Sequence, residues 1–314
     1  MAEIVGDVMV LGAGGKMGLH LCLMLRAALP AGQRVLAVSR FSGTGATSAF
    51  ESAGIETLSC DLMDRASVQA LPLCKTVFYL AGQKFGTDSA PELTWMMNVV
   101  VPAYVAERFQ ASRIVAFSTG CVYEHVSVSG GGSCEGDLLA PPGDYANSCL
   151  GRERVFSYYS KKNGTAVSLF RLNYSVEPRY GVPVDLGLKI LAGEAIDLSM
   201  GYVNLIWQRD AVARAIQSLD LASSPAVPIN VTGPETIPVR ALASQLGTLL
   251  GKQPVFCGQE ASAAWLSNAG QSLRLWGNPE TSLDQMLEWV AAWLKAGEVT
   301  LGKPTHFEST EGKF

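Results

Sequence analysis

A glycine-rich turn near the start of the chain has the composition of a phosphate-binding loop. The segment GAGGKMG, residues 12–18, follows an apolar run, precedes a helical pattern and spaces three of its four glycines three residues apart. Glycine allows a tight turn and a close approach of backbone to pyrophosphate, and the following helix N-terminus stabilises negative charge. We therefore predict that the whole turn binds a dinucleotide through Gly12, Gly14, Gly15, Lys16, Met17 and Gly18.

The end of the second predicted strand bears on the choice of cofactor. An acidic residue there would accept hydrogen bonds from the adenosine ribose, but the segment AVSR supplies Ser39 and Arg40. A hydroxyl and a guanidinium suit a 2′-phosphate better, so the sequence favours NADP over NAD. The alternative for Arg40 is a solvated charge at the end of a strand.

Tyr145 is a candidate acid or base near the start of the helical stretch DYANSCLGRERVF, residues 144–156. One helical turn later stands Cys149, where a cation would help the phenol to ionise. A phenol has a pKa of about 10 in water, and a thiol is neutral at pH 7 unless it is activated. Cys149 could itself be a nucleophile, but its position beyond the first helical turn favours a packed core thiol.

The elements that must position these residues alternate between strands and helices. Apolar runs at 7–13, 34–40, 55–61, 76–82 and 113–119 predict five strands buried on both faces, separated by helical patterns. A sixth strand is predicted at 166–172, after the helix that carries Tyr145. This alternation is typical of a parallel sheet built from βαβ units. We predict a Rossmann-type, doubly wound α/β fold with an NAD(P)-binding domain at 1–175. Residues 176–314 are expected to form a smaller, mostly substrate-binding lobe, with some elements returning to the core.

Composition narrows the class of partner. The net charge is -4, basic residues are scattered, and the seven cysteines include no C-x-x-C pair. We therefore expect a cytoplasmic protein with a small-molecule substrate, and neither a nucleic-acid nor a membrane partner. The three histidines are far apart in sequence, so no metal site is predicted.

Several ordered motifs, extending to about residue 235, resemble the extended short-chain dehydrogenase/reductases, the NAD(P)-dependent epimerase/dehydratase group. Besides the glycine turn, they are DL at 61–62, YLAG at 79–82, an asparagine in MMNVVVPAYVAE, and STGCVY at 118–123. The resemblance implies an adenine contact at the first motif and cofactor contacts at the others: Asp61, Leu62, Leu80, Ala81, Gly82 and Asn98. It also implies a homodimer formed through the helices that hold Asn98 and Tyr145.

The resemblance assigns catalytic roles to Thr119 and Tyr145, with Thr119 bonding the reacting oxygen and Tyr145 moving the proton. Cys149 stands where the family's Y-x-x-x-K motif has lysine, which lowers the tyrosine pKa and holds the nicotinamide ribose. Lys84, in a loop after the fourth strand, is our preferred substitute for that cation. Arg152 is a second candidate, although its Cα is about 10 Å from that of Tyr145 along the helix axis.

The second half of the chain carries weaker motifs. FRLNYSVEPRYG, residues 170–181, partly matches a family loop that supports substrate, which suggests contacts from Asn173, Arg179 and Tyr180. The expected function is that of an NAD(P)-dependent oxidoreductase, epimerase or dehydratase, which acts by hydride transfer on a hydroxyl or ketone of a sugar-like substrate, with nucleotide sugars as one such class. The alternative is a catalytically quiet NAD(P)-binding sensor or regulatory protein.

Overall fold

A computed structural model describes residues 4–87 and 89–309 of the chain. The chain divides into two compact units. The first comprises the described parts of Met1–Thr119, Asp144–Arg171 and Val212–Ile229, and the second those of Gly120–Gly143, Leu172–Ala211 and Asn230–Phe314. The cofactor and substrate roles expected for regions 1–175 and 176–314 stay predictions.

The strands follow one another in the order β1 (Val8–Leu11), β2 (Val35–Ser39), β3 (Glu56–Ser59), β4 (Thr76–Tyr79), β5 (Arg113–Thr119), β6 (Val126–Ser127), β7 (Ala166–Leu172), β8 (Ser175–Val176), β9 (Ala195–Asp197), β10 (Tyr202–Val203), β11 (Ile206–Trp207), β12 (Val227–Val231), β13 (Ile237–Pro238), β14 (Val255–Cys257) and β15 (Ala263–Ala264). The α-helices are α1 (Gly18–Ala28), α2 (Ser48–Ser52), α3 (Arg65–Ala70), α4 (Pro91–Trp95), α5 (Val101–Arg108), α6 (Gly143–Asn163), α7 (Val182–Ala192), α8 (Gln208–Gln217), α9 (Val239–Leu250), α10 (Gly270–Trp276) and α11 (Leu283–Lys295). A π-helical turn, Met96–Val100, joins α4 to α5.

A seven-stranded sheet has the order β12-β7-β5-β4-β1-β2-β3. The first five strands pair in parallel, with β1 between β2 and β4. The strand order reverses at β1, and in such sheets ligands bind at the carboxyl ends of the strands beside this switch point. The predicted Rossmann-type fold is confirmed, and the glycine turn lies at that edge because it follows β1.

Most of the predicted strands owe their position to apolar residues on both faces. β1, β2 and β4 are almost entirely buried, as continuous runs of valine, leucine and aromatic residues predict. The prediction was wrong for β3, whose four residues are half-buried or exposed. β3 is the last strand of the sheet, so it has a neighbour on one side only and tolerates Glu56, Thr57 and Ser59.

The long helix α6 presents a buried face with charged and polar members. Its buried residues include Cys149, Arg152, Glu153, Phe156 and Ser160, at helical spacing. Glu153 and Arg171 of β7 form an ion pair at 2.7 Å in which each side chain is 4% exposed. The helix is therefore fixed by polar contacts as well as by apolar packing.

The second unit is built around the helices α7, α9 and α11. At Gly187 of α7 a side chain would meet Leu294, Leu246 and Leu250, so glycine allows these helices a close approach. Ser282 and Gln285 form a capping box at the start of α11. No helix within residues 4–87 and 89–309 has the length and apolar character of a membrane span.

Candidate functional site

The glycine turn is held between β2 and β4 by close backbone contacts. The amides of Gly12 and Ala13 donate to the Val38 carbonyl at 2.9 and 3.0 Å. Gly12 has φ +86°, and a Cβ there would lie 2.6 Å from the backbone nitrogen of Ala81. At Gly18 a Cβ would lie 2.1 Å from the Ala13 carbonyl oxygen. These two glycines are therefore required by the packing of the turn itself.

The outer part of the same turn is open and suited to an anion. A Cβ on exposed Gly15 would meet only the Gly12 carbonyl oxygen, at 3.3 Å. The helix α1 has no acidic residue in its first turn, and its N-cap, Met17, makes no capping bond through its side chain. The N-terminus of α1 and the space beside Gly15 thus fit a pyrophosphate group.

The ends of β2 and β3 carry the residues expected near adenosine. Ser39 lies against Gly14, where a Cβ would be 2.6 Å from the Ser39 Oγ, and Arg40 is exposed. Asp61 is exposed and accepts a hydrogen bond from the Met63 amide at 3.0 Å. Leu62 is buried against the core.

The loop after β4 brings Lys84 to Tyr145. The Lys84 ammonium nitrogen lies 6.0 Å from the centroid of the Tyr145 ring and 5.7 Å from that of Phe85. Tyr145 is half-buried in the first turn of α6, and Thr119 is half-buried as the last residue of β5. Because β4 and β5 are parallel neighbours, Thr119 and the Lys84 loop lie at the carboxyl ends of these two strands, on one edge of the sheet.

Asn98 ties the start of that loop to the helix α6. Its side-chain nitrogen donates to the Gln83 carbonyl and to the Ser148 hydroxyl, each at 2.9 Å. Its side-chain oxygen accepts from the Gln83 amide at 2.9 Å. Asn98 is fully buried in the π-helical turn, which projects it differently from a regular helix. The residue therefore fixes the backbone on which Gly82 and Lys84 stand.

Arg152 reaches this same region although its Cα is two turns after Tyr145. Its guanidinium donates to the Phe117 carbonyl at 2.9 Å and to the Asn98 side-chain oxygen at 2.5 Å. A Cβ on Gly82 would lie 2.4 Å from one of its terminal nitrogens. The separation of the Cα atoms of Arg152 and Tyr145 along the helix axis therefore understates the reach of the Arg152 side chain. A long side chain on a helix points back toward the N-terminus of that helix. This property makes Arg152 a stronger candidate than the Cα separation alone suggests.

Cys149 is completely buried and free of any disulfide. Its burial agrees with the interpretation as a core thiol, since reactive thiolates are partly exposed. Within the described residues, no three histidine, cysteine or carboxylate side chains are grouped so that they could hold a metal ion.

The three expected substrate contacts belong to the second unit, where each has a partner. Asn173 is buried, and its side-chain amide donates to the Trp265 carbonyl at 3.4 Å. Arg179 forms a 3.0 Å ion pair with Glu177. Burial raises the pKa of Tyr180 above its ordinary value, which disfavours its ionised form. Their role toward substrate stays a prediction.

Several solved structures have a similar fold over nearly the whole chain. UDP-glucuronic acid 4-epimerase from Bacillus cereus, in complex with NAD, is 20% identical with a TM-score of 0.75, covering 92% of this chain and 99% of that one. MoeE5, in complex with UDP-glucose and NAD, is 21% identical with a TM-score of 0.76, covering 93% and 99%. UDP-glucose 4-epimerase from Thermotoga maritima, with UDP-glucose, is 17% identical with a TM-score of 0.76, covering 93% and 99%. At these identities the likeness shows the fold alone.

Comparison with curated protein sequences gives no match. The family model described as NAD dependent epimerase/dehydratase matches residues 8–179, which is more than half of the chain and includes the glycine turn, Asn98 and Tyr145. The chain therefore belongs to the NAD dependent epimerase/dehydratase family.

Proposed function

We propose that the protein is an NAD(P)-dependent enzyme that acts on a hydroxyl or ketone of a sugar-like substrate, of the nucleotide-sugar class. The proximity of Lys84 to Tyr145 carries this proposal. Cys149 replaces the family's lysine, yet the ammonium nitrogen of Lys84 lies 6.0 Å from the centroid of the Tyr145 ring. Family membership and the nucleotide-sugar ligands of the similar structures support the choice of substrate class.

In the proposed reaction Tyr145 accepts the proton of a substrate hydroxyl and returns it when the carbonyl is reduced. The positive charge of Lys84 stabilises the phenolate form of Tyr145, and the Thr119 hydroxyl donates a hydrogen bond to the reacting oxygen. When bound, a nicotinamide would serve as the hydride acceptor and donor. Positioned acid-base groups of this kind typically contribute about 10²–10⁴-fold to a rate.

The cofactor is proposed to bind along the carboxyl edge of the sheet. The turn from Gly12 to Gly18 would hold the pyrophosphate, and Asp61 and Leu62 would contact the adenine. The segment from Leu80 to Gly82 would contact the nicotinamide half of the cofactor. Ser39 and Arg40 favour NADP, whereas the similar structures of the B. cereus epimerase and MoeE5 contain NAD. Titrating the protein with NADH and NADPH while recording nicotinamide fluorescence tests this preference. A Kd for NADPH no lower than that for NADH would contradict it.

The function is tested by assaying purified protein with either cofactor against a panel of nucleotide sugars and simple ketones. We expect interconversion or reduction of at least one nucleotide sugar. Cofactor binding without turnover of any compound would favour the sensor or regulatory protein instead.

Lys84→Ala is expected to lower kcat by about 10²-fold or more while leaving the cofactor Kd and the melting temperature nearly unchanged. Lys161→Ala, at an exposed lysine far along α6, is the matched control and should keep full activity. Cys149→Ala should also retain activity, because the buried thiol takes no part in the proposed reaction. Full activity in Lys84→Ala, or its loss in a folded Cys149→Ala, would refute these assignments.

A further inference from the structure

Arg152 is a buried cation whose hydrogen-bond acceptors are neutral. The residue is 7% exposed, and its two described acceptors are the Phe117 carbonyl and the Asn98 amide oxygen. Its Nε lies buried without a hydrogen-bond partner in the described part of the chain. The neighbouring Glu153 is instead bonded to Arg171, through two hydrogen bonds of 2.9 and 2.7 Å. Burying a charge without a paired acid is costly, so a role for this charge is expected.

The guanidinium is directed at the site rather than at solvent. It lies behind Gly82, where any side chain would collide with it, and 5.8 Å from the centroid of the Tyr79 ring. Burial by itself lowers the pKa of Arg152, but electrostatic interactions with Cys149, Tyr79, Tyr145 and Glu153 together give a net increase. The guanidinium therefore contacts β5, through the Phe117 carbonyl, and Asn98, which holds the loop after β4.

Cys149 and Arg152 are one helical turn apart on the same face of α6, and both are buried. An arginine side chain that runs back toward the helix N-terminus passes over the preceding turn. A lysine at position 149 would place a second cation in that space. A small neutral thiol leaves room for the guanidinium and adds no charge to it.

We propose that Arg152 is a positioning residue that supplies, from one turn later in α6, the fixed positive charge that the family's lysine supplies from position 149. Through Asn98 it holds the backbone beside Gly82, and through its charge it favours the phenolate of Tyr145. Lys84, whose ammonium nitrogen lies 6.0 Å from the centroid of the phenol ring, then acts as a second cation on Tyr145. The inference rests on the proposed function for its catalytic part, but its electrostatic part needs no substrate.

The electrostatic part is tested by moving the charge. Cys149→Lys should lower the melting temperature by several degrees, because it places two cations together in a buried space. In the Arg152→Ala background the same substitution should raise the melting temperature relative to Arg152→Ala alone. In the background of Arg154→Ala, which removes an exposed arginine from the same helix, Cys149→Lys should remain destabilising. Equal effects of Cys149→Lys in all three backgrounds would overturn the proposal.

The positioning role is tested by cofactor binding and pH dependence. We expect Arg152→Met to weaken NADH or NADPH binding about tenfold and to move the acidic limb of the kcat profile, on which activity rises as Tyr145 ionises, to higher pH. Arg152→Lys should recover most of both. Cys149→Lys/Arg152→Ala should recover cofactor affinity relative to Arg152→Ala, even if the enzyme has no measurable turnover. Unchanged affinity in folded Arg152→Met, or no recovery in the double variant, would overturn the role.

Discussion

Replacing Gly12 by alanine separates the cost of the turn's backbone conformation from the cost of its packing. Gly12 combines a φ of +86° with a Cβ position 2.6 Å from the Ala81 nitrogen and 2.8 Å from the Ala81 Cα. Both neighbouring atoms are backbone atoms beyond the end of the central strand β4, so they cannot rotate away. Gly54 has a similar φ of +70° with no atom within 4 Å of its Cβ position. Gly54→Ala therefore measures the conformational cost alone.

The expected magnitudes follow from these contacts. A non-glycine residue in the left-handed region costs about 1–2 kcal/mol, which is the whole effect expected at Gly54. Overpacking a close-packed site adds about 1–3 kcal/mol, so Gly12→Ala should cost about 2–5 kcal/mol. Gly15→Ala lacks the positive φ and has one neighbouring atom, the Gly12 carbonyl oxygen at 3.3 Å. Its cost should be within about 1 kcal/mol.

Urea unfolding followed by circular dichroism measures the free energy of unfolding of the three variants, and nicotinamide fluorescence measures their cofactor affinity. Gly12→Ala should lose more stability than Gly54→Ala. Gly15→Ala should keep its stability and lose cofactor affinity, because its methyl group enters the space assigned to the pyrophosphate. Equal losses of stability at Gly12 and Gly54 would refute the packing argument, and unchanged affinity in Gly15→Ala would refute the placement of the phosphate.

Two further predictions concern buried charges in each unit. Glu153→Met should lower the free energy of unfolding by about 3–5 kcal/mol, because it leaves Arg171 buried and unpaired, and Glu153→Met/Arg171→Met should recover much of this loss in the same urea titration. Burial raises the pKa of Asp185 above 3.8 despite hydrogen bonds from Thr305. The proton bound to Asp185 therefore stabilises the folded state fully below about pH 4, and this stabilisation is lost as pH rises through the folded-state pKa. Asp185→Asn keeps an acceptor oxygen for Thr305 and should flatten the dependence of unfolding free energy on pH above about pH 4. Identical pH profiles for this variant and the parent would contradict that prediction.

The sequence predicts the central sheet well where burial is enforced on both faces. β1 and β4 are continuous apolar runs, and the structure places them side by side. The sequence predicts the burial of β3 less well, because an edge strand is defined by a missing neighbour and not by its own residues. The apolar residues flanking β3, Ile55 and Cys60, are buried, while Glu56 is exposed. The apolar character of Ile55 and Cys60 makes the whole run 55–61 resemble an interior strand.

The glycine turn could be identified from the sequence because the contacts that require glycine there are local. Gly12 and Gly18 are constrained by contacts within the turn and with the adjoining strand end, so their spacing alone carries the information. Lys84 could be anticipated for a related reason, since it follows a strand end beside the switch point of the sheet. That topological argument places a loop, and the structure places its ammonium beside Tyr145.

Arg152 illustrates why a motif comparison alone does not locate a charge. A motif compares residues at matched positions, whereas the guanidinium is displaced from its own Cα by a long side chain directed toward the preceding turn. Matching position 149 therefore indicates that a cation has been lost, although a buried cation stands one turn away and contacts Asn98. The positions that must be compared in this family are those of the charged atoms. If the charge-moving experiment succeeds, Cys149 and Arg152 together are a rearranged form of the usual cation, and the absence of lysine at position 149 is no argument against catalysis.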